Sequence, residues 1–110
     1  MKQKELYDFV NEHTARCRIL VAGDVMLDKY YYGEVTRISP EAPVPITHVL
    51  SEKETLGGAA NVAHNLALLG CETSITGFVG DDYHCQSLLD KFTARGIDYH
   101  GLITTDRPTT

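Results

Sequence analysis

Several features are missing from this 110-residue chain, and each absence removes a class of function. No apolar run approaches the ~20 residues a helical membrane span requires, so no membrane partner is expected. The opening stretch, MKQKELYDFVNEHTARC, is too polar to hold the apolar core of a signal peptide. The expected compartment is therefore the cytoplasm. Lys and Arg number 10 against 15 Asp and Glu, the formal net charge is −5, and the basic residues are scattered. A phosphodiester backbone demands a basic face, so nucleic acid is not expected as the main partner. There is no CxxC. Cys17, Cys71 and Cys85 are odd in number and widely spaced, and are expected to be reduced and mostly buried. The five histidines form no HExxH and no paired spacing, so no structural metal is expected.

What is present reads as one small globular unit. Hydrophobic residues make up 43% and charged residues 23%, an ordinary soluble composition, and the length allows one hydrophobic core. Residues 3–15 place Leu6, Phe9, Val10 and His13 on one helical face. RILVAGD (18–24) is a compact apolar run that predicts a buried strand of a parallel sheet. DKYYYGEVTRI (28–38) favours strand by composition. SPEAPVP (39–45) holds three of the four prolines and predicts a stiff, irregular loop. ITHVLSEKETL (46–56) returns to strand-like alternation, with a turn expected near Ser51-Glu52-Lys53. Two or three strands with little apolar mass predict a small sheet projecting from the body.

The period then lengthens. Val62, Ala63, Leu66, Ala67 and Leu69 repeat at helical spacing up to a stop at Gly70. TSITGFVG (73–80) predicts a strand. Residues 81–96 predict a helix that opens on Asp81-Asp82, buries Leu88, Leu89 and Phe92, and ends at Gly96. Residues 97–106 predict another strand. The order gives an α/β fold with right-handed crossovers and a small accessory sheet. Parallel sheets need helices on both faces. The last strand is followed by no such element, so other chains or further residues of the protein are expected to cover the sheet.

Chemistry concentrates in GGAANVAHNLALLG, residues 57–70. Gly57 and Gly58 lack a Cβ, so a ligand can approach the backbone closely. The first N–H groups of a helix have no partner within it and can donate to hydroxyl or phosphate oxygens. Asn61 brings an amide with both donors and an acceptor, which suits neighbouring sugar hydroxyls. A tight turn at the glycines with Asn61 as a cap is the structural alternative. No Gly-Lys-Ser/Thr follows and no GxGxxG opens the stretch, so neither a triphosphate loop nor a dinucleotide fold is indicated. VAGDVMLD places Asp24 and Asp28 just past the first strand, where open α/β sheets bind ligands. A carboxylate there can accept hydrogen bonds from two hydroxyls.

Together GGAANVAHNLALLG, CETSITGFVGDD and GDVMLD resemble the first signature of the PfkB (ribokinase-like) carbohydrate kinases. Gly57, Gly58, Ala59, Asn61, Ala63, Gly70 and Gly80 stand where the pattern has them. The resemblance runs from Arg18 to Thr110, and GDVMLDKYYYGEVTRISPEAPVP narrows it to members that phosphorylate heptose 7-phosphate on the way to ADP-heptose and the lipopolysaccharide core. It implies the N-terminal part of a ribokinase-like three-layer α/β fold with a β-sheet lid over about 28–56. It implies sugar contacts at Asp28, Gly57, Gly58 and Asn61, with Asp24 beside them. Arg37, in the lid, is a candidate phosphate ligand because a guanidinium fork suits phosphate. The lid implies a possible homodimer, since its exposed strand edges invite pairing.

The resemblance also marks what does not occur here. The family's catalytic aspartate sits in a second signature, roughly DTxGAGD, which none of these 110 residues matches. Ala22-Gly23-Asp24 and Gly80-Asp81-Asp82 are decoys for it. The adenylyltransferase half, with its HxGH-type motif, does not occur either. The base and the nucleotide pocket are thus expected beyond Thr110. ATP and Mg²⁺ are expected for the intact enzyme and not for residues 1–110 alone, which are expected to be inactive. Two other readings stay open: a kinase of another sugar, sugar phosphate or nucleoside, and a non-catalytic sugar-binding or dimerisation module.

Overall fold

The computed structural model describes residues 2–38 and 45–110, with the side chains of 34–50 outside the description. Helix α1 (Gln3–Thr14) leads to β1 (Arg18–Ala22) and two long strands, β2 (Val25–Ile38) and β3 (Pro45–Gly58). Then come α2 (Ala59–Leu68), β4 (Glu72–Gly80), α3 (Tyr83–Arg95) and β5 (Asp98–Thr105). Strands β1, β4 and β5 form a parallel sheet with β4 in the middle. Strands β2 and β3 pair only with each other, as an antiparallel ribbon. The order and class are those expected of an α/β chain.

Alternation along β4 sets the layers. Thr73, Ile75 and Val79 are buried, whereas Phe78, pointing the other way, is exposed. The buried face meets Ala60 and Ala63 of α2 and Leu88 and Phe92 of α3. Val25, Leu27 and Leu56, at the root of the ribbon, complete the same core with Ile97. Helix α3 has both ends closed. The Asp82 side chain accepts the Cys85 N–H, and Gly96 stops the helix in the left-handed conformation with φ 68°.

Several expectations are corrected. Strand β1 is an edge strand rather than a buried one, and its Leu20 is 64% exposed. Leu20, Phe78 and Ile103 all lie exposed on the sheet face opposite α2 and α3. No residue of α1 is buried, and of its apolar stripe only Val10 is half-buried. Leu89 is half-buried. Cys17 is exposed and Cys71 and Cys85 are half-buried; all three are free thiols. No turn forms at residues 51–53. Ser51, Glu52 and Lys53 pair with Tyr32, Tyr31 and Tyr30, and the irregularity falls one residue earlier, where the register jumps from Ser51 to Val49. One extra residue in a strand bends it without ending it. The accessory sheet therefore has two strands. Residues 39–44 of the expected loop lie outside the described residues, and Pro45 opens β3.

The outline follows from the ribbon. The radius of gyration is 18.8 Å and the extents are 61 × 41 × 19 Å. A compact chain of this length would have a radius near 13 Å. No helix among the described residues is long and apolar enough to cross a membrane.

Candidate functional site

The site builds up where β1 ends. Beyond Ala22 the chain turns through Gly23 and Asp24 into β2. The Asp24 carbonyl accepts the Ala59 N–H at 2.7 Å, so the end of β1 holds the first amide of α2. Gly58 makes this fit possible. Its φ of 56° and ψ of −132° suit glycine alone, and a Cβ there would collide with the Asp24 carbonyl oxygen. One residue earlier, Gly57 is buried beside Asp28. A Cβ on Gly57 would stand 2.5 Å from Asp28 Oδ2 and 3.0 Å from Oδ1. The Asp28 carboxylate thus lies directly over bare backbone, itself exposed to solvent.

Asn61 is the third residue of α2 and is exposed. It does not cap the helix: the N-cap is Gly58, and no side chain caps this end. The structure therefore brings Asp24, Gly58 and Ala59 together through the backbone, and Asp28 and Gly57 through a side chain. Asn61 stands on the adjoining helical turn. Arg37 lies farther out on β2, where its backbone pairs with Ile46; its side chain is outside the described residues.

A cavity of about 500 Å³ opens at the carboxyl end of the parallel sheet, and of the residues above only Asp24 lines it. Asp24 and Val25 form one wall, Phe78 and Val79 another, and residues 105–108 with Thr110 a third. No sequence motif singled out that third wall. It is held by Asp82. The Thr109 N–H donates to Asp82 Oδ2 at 2.9 Å, and the Thr109 hydroxyl donates to Oδ1 at 2.7 Å. The Thr109 hydroxyl and amide, with the Cys85 amide, bring the Asp82 pKa down to about 2. The hydrogen bonds from Cys85 and Thr109 occupy both oxygens of this carboxylate.

A second cluster joins ribbon to body. Glu54 on β3 accepts the Ser87 hydroxyl of α3 at 2.6 Å and lies 3.8 Å from Lys91 Nζ. Lys29 of β2 reaches both Glu52 and Glu54, at 3.7 and 3.6 Å. The Ser87 hydrogen bond pulls the Glu54 pKa below its usual value. Partial burial opposes the charge on Lys29, yet Glu52, Tyr31 and Glu54 raise its pKa on balance.

Residues 17–110 match the model of the pfkB family carbohydrate kinases. The chain belongs to that family. Over 85 residues it is 58% identical to the bifunctional protein HldE of Magnetococcus marinus, covering 77% of this chain and 18% of the relative. Over 99 residues it is 48% identical to the D-beta-D-heptose 7-phosphate kinase of Bordetella bronchiseptica, covering 90% of this chain and 32% of the relative. The matched stretches therefore span only 18% and 32% of the length of these two curated relatives. Among solved structures, a fructokinase from Xylella fastidiosa with bound ATP superposes with a TM-score of 0.64 at 26% identity. The overlap covers 84% of this chain and 27% of that one. The parallel sheet, its two helices and the ribbon are thus part of a pfkB-family, ribokinase-like fold.

Proposed function

We propose that this chain forms the acceptor-sugar half of a kinase that transfers the γ-phosphoryl of ATP to the anomeric hydroxyl of D-glycero-D-manno-heptose 7-phosphate, a step toward ADP-heptose. One observation carries the reading: the Asp28 carboxylate rests on the bare Gly57 backbone beside the start of α2. Identity to a D-beta-D-heptose 7-phosphate kinase supports the choice of sugar. In this reading Asp28 accepts hydrogen bonds from neighbouring hydroxyls. Gly57 and Gly58 let the sugar approach the main chain, and the Asn61 amide donates and accepts at the same ring. Asp24 offers a further carboxylate from the cavity wall, and Arg37 is a weaker candidate for the phosphate.

The ribbon acts as the lid. By covering the sugar it excludes water, which lowers wasteful hydrolysis of the phosphoryl donor. Its exposed edges are proposed to pair with those of a second copy. The base that takes the proton of the attacking hydroxyl is assigned to a residue beyond Thr110, and the working compartment to the cytoplasm. Among the described residues no three His, Cys, Asp or Glu side chains cluster as metal ligands. ATP with Mg²⁺ is assigned to the rest of the full-length protein.

The test is to assay the full-length protein against heptose 7-phosphate, other sugar phosphates, free sugars and nucleosides. A strong preference in kcat/KM for heptose 7-phosphate is expected. Preference for another acceptor overturns the choice of sugar, and no turnover of any acceptor overturns the kinase reading.

A further inference from the structure

The residues after β5 do not leave the sheet; they fold back across its carboxyl end and are pinned there. Thr109 gives two hydrogen bonds to Asp82, at 2.9 and 2.7 Å, and its hydroxyl accepts the Gly80 N–H at 2.9 Å. One residue on, the Thr110 carbonyl accepts the Leu27 N–H at 2.9 Å, which ties the segment to the root of the ribbon. Gly80 leaves no slack beneath it. A Cβ there would collide with the Arg107 carbonyl oxygen and stand 2.8 Å from the Thr109 nitrogen. A bare residue in the central strand thus lets the segment lie flat on the sheet end.

This arrangement presents Arg107. Its N–H donates to Thr105 Oγ1 at 3.3 Å, which sets the backbone where the chain turns. Its guanidinium enters no ion pair among the described residues, whereas Arg16, Arg18, Lys29 and Lys91 are each paired with a glutamate. Arg107 is also the only cation among the residues lining the 500 Å³ cavity, where Asp24 and Asp106 supply carboxylates. An unpaired guanidinium in a chain of net charge −5 is placed for an anion. The carboxylates beside it suit hydroxyl donors. A phosphorylated sugar presents both chemistries on one molecule.

We infer that Arg107 binds the phosphate already carried by the acceptor sugar, and that the Asp82–Thr109 clasp is the positioning device that holds it there. The inference rests on the sugar-phosphate kinase reading above and assigns the anion end of that site to the segment that follows β5. Asp82 and Thr109 act through Arg107 and touch no substrate.

Arg107→Met and Arg107→Lys, made in the full-length protein, test this directly. Arg107→Met should raise KM for the phosphorylated sugar about 10- to 100-fold while kcat stays within a few-fold, since a charge-assisted contact made equally in ground and transition states is lost. Arg107→Lys should recover part of the loss. KM for the same sugar without its phosphate should not move. Thr109→Val should raise KM in the same selective way, and it leaves the Asp82 cap of α3 in place. Unchanged KM in Arg107→Met, or equal losses for phosphorylated and unphosphorylated sugar, overturns the inference. Transfer of the selective effect to Arg37→Met assigns the phosphate to the lid and overturns it as well.

Inorganic phosphate, followed by calorimetry, separates this inference from the kinase reading. Phosphate binding by the wild type that Arg107→Met abolishes, in a protein that turns over no sugar, keeps the anion site and removes the kinase reading. Equal phosphate binding by wild type and Arg107→Met removes the anion site, whatever the enzyme phosphorylates.

Discussion

In the parallel sheet, Ile75 and Val79 are sealed under α2 and α3, whereas the ribbon holds Tyr30, Tyr31 and Tyr32 about half in solvent. The sheet gains its stability from helices pressed on one face. The ribbon is paired strand to strand, and among its described side chains only those at the root, Val25, Leu27 and Leu56, belong to the buried core. A lone two-stranded ribbon is marginal in water. It persists here because its root is buried and Glu54 ties it to Ser87 and Lys91. The candidate site lies at the seam. Asp28 belongs to the ribbon, Asn61 to the body, and Gly57–Gly58 is the joint where one becomes the other.

The contrast can be broken first in the body. Phe92 is fully buried, and Phe92→Ala should cost about 3–5 kcal/mol in denaturant unfolding of the full-length protein. A loss below 1 kcal/mol would show that the core is not where the comparison puts it. At the joint, Gly58→Ala must hold a strained backbone against the Asp24 carbonyl, and should cost at least about 1–3 kcal/mol. If it is silent in thermal melts, the joint is not rigid. At the seam, Asp28→Asn should leave the melting temperature within a degree or two. It should lower kcat/KM for the sugar about 10- to 100-fold, because this exposed carboxylate is the proposed sugar contact. Equal losses of stability and activity would make Asp28 structural.

Two smaller effects sharpen the picture. The Asp82 pKa lies below its ordinary value, so its clasp contributes stability that is fully present above about pH 4 and is lost as pH falls toward about 2. Acid titration of wild type against Asp82→Asn should show the excess loss only in that window; parallel curves would mean that Thr109 does not hold the carboxylate. Least of all, Tyr31→Ser on the exposed ribbon should shift stability by no more than about 0.5 kcal/mol.

Where local chemistry decides structure, these residues could be read directly. Asp82 and Gly96 bracket α3 and Gly70 follows α2, because caps act over three or four residues. The run ILV in β1 promised burial, but burial depends on what lies across the sheet, and Leu20 has no described partner on that face. The same holds for Leu6 and Phe9 of α1. Ser51-Glu52-Lys53 reads as a turn by composition, yet cross-strand pairing with three tyrosines keeps it extended. Asp28 and the glycines were visible because their spacing forms a signature. The Asp82–Thr109 clasp was not, since its partners stand 27 residues apart and meet only once the sheet brings β4 and β5 side by side.

The length of the ribbon makes it a lever. Fourteen residues per strand at about 3.3 Å each reach over 40 Å from root to far end, so a rotation of about 10° at the joint sweeps that end through roughly 7 Å. Leu27 bonds to Thr110, and Glu54 to Ser87, within the first few residue pairs from the pivot. A shift of about 0.3 Å in the cavity wall at residues 107–110 would be applied on the short arm, about 7 Å from the pivot, and the long arm would return it as roughly 2 Å.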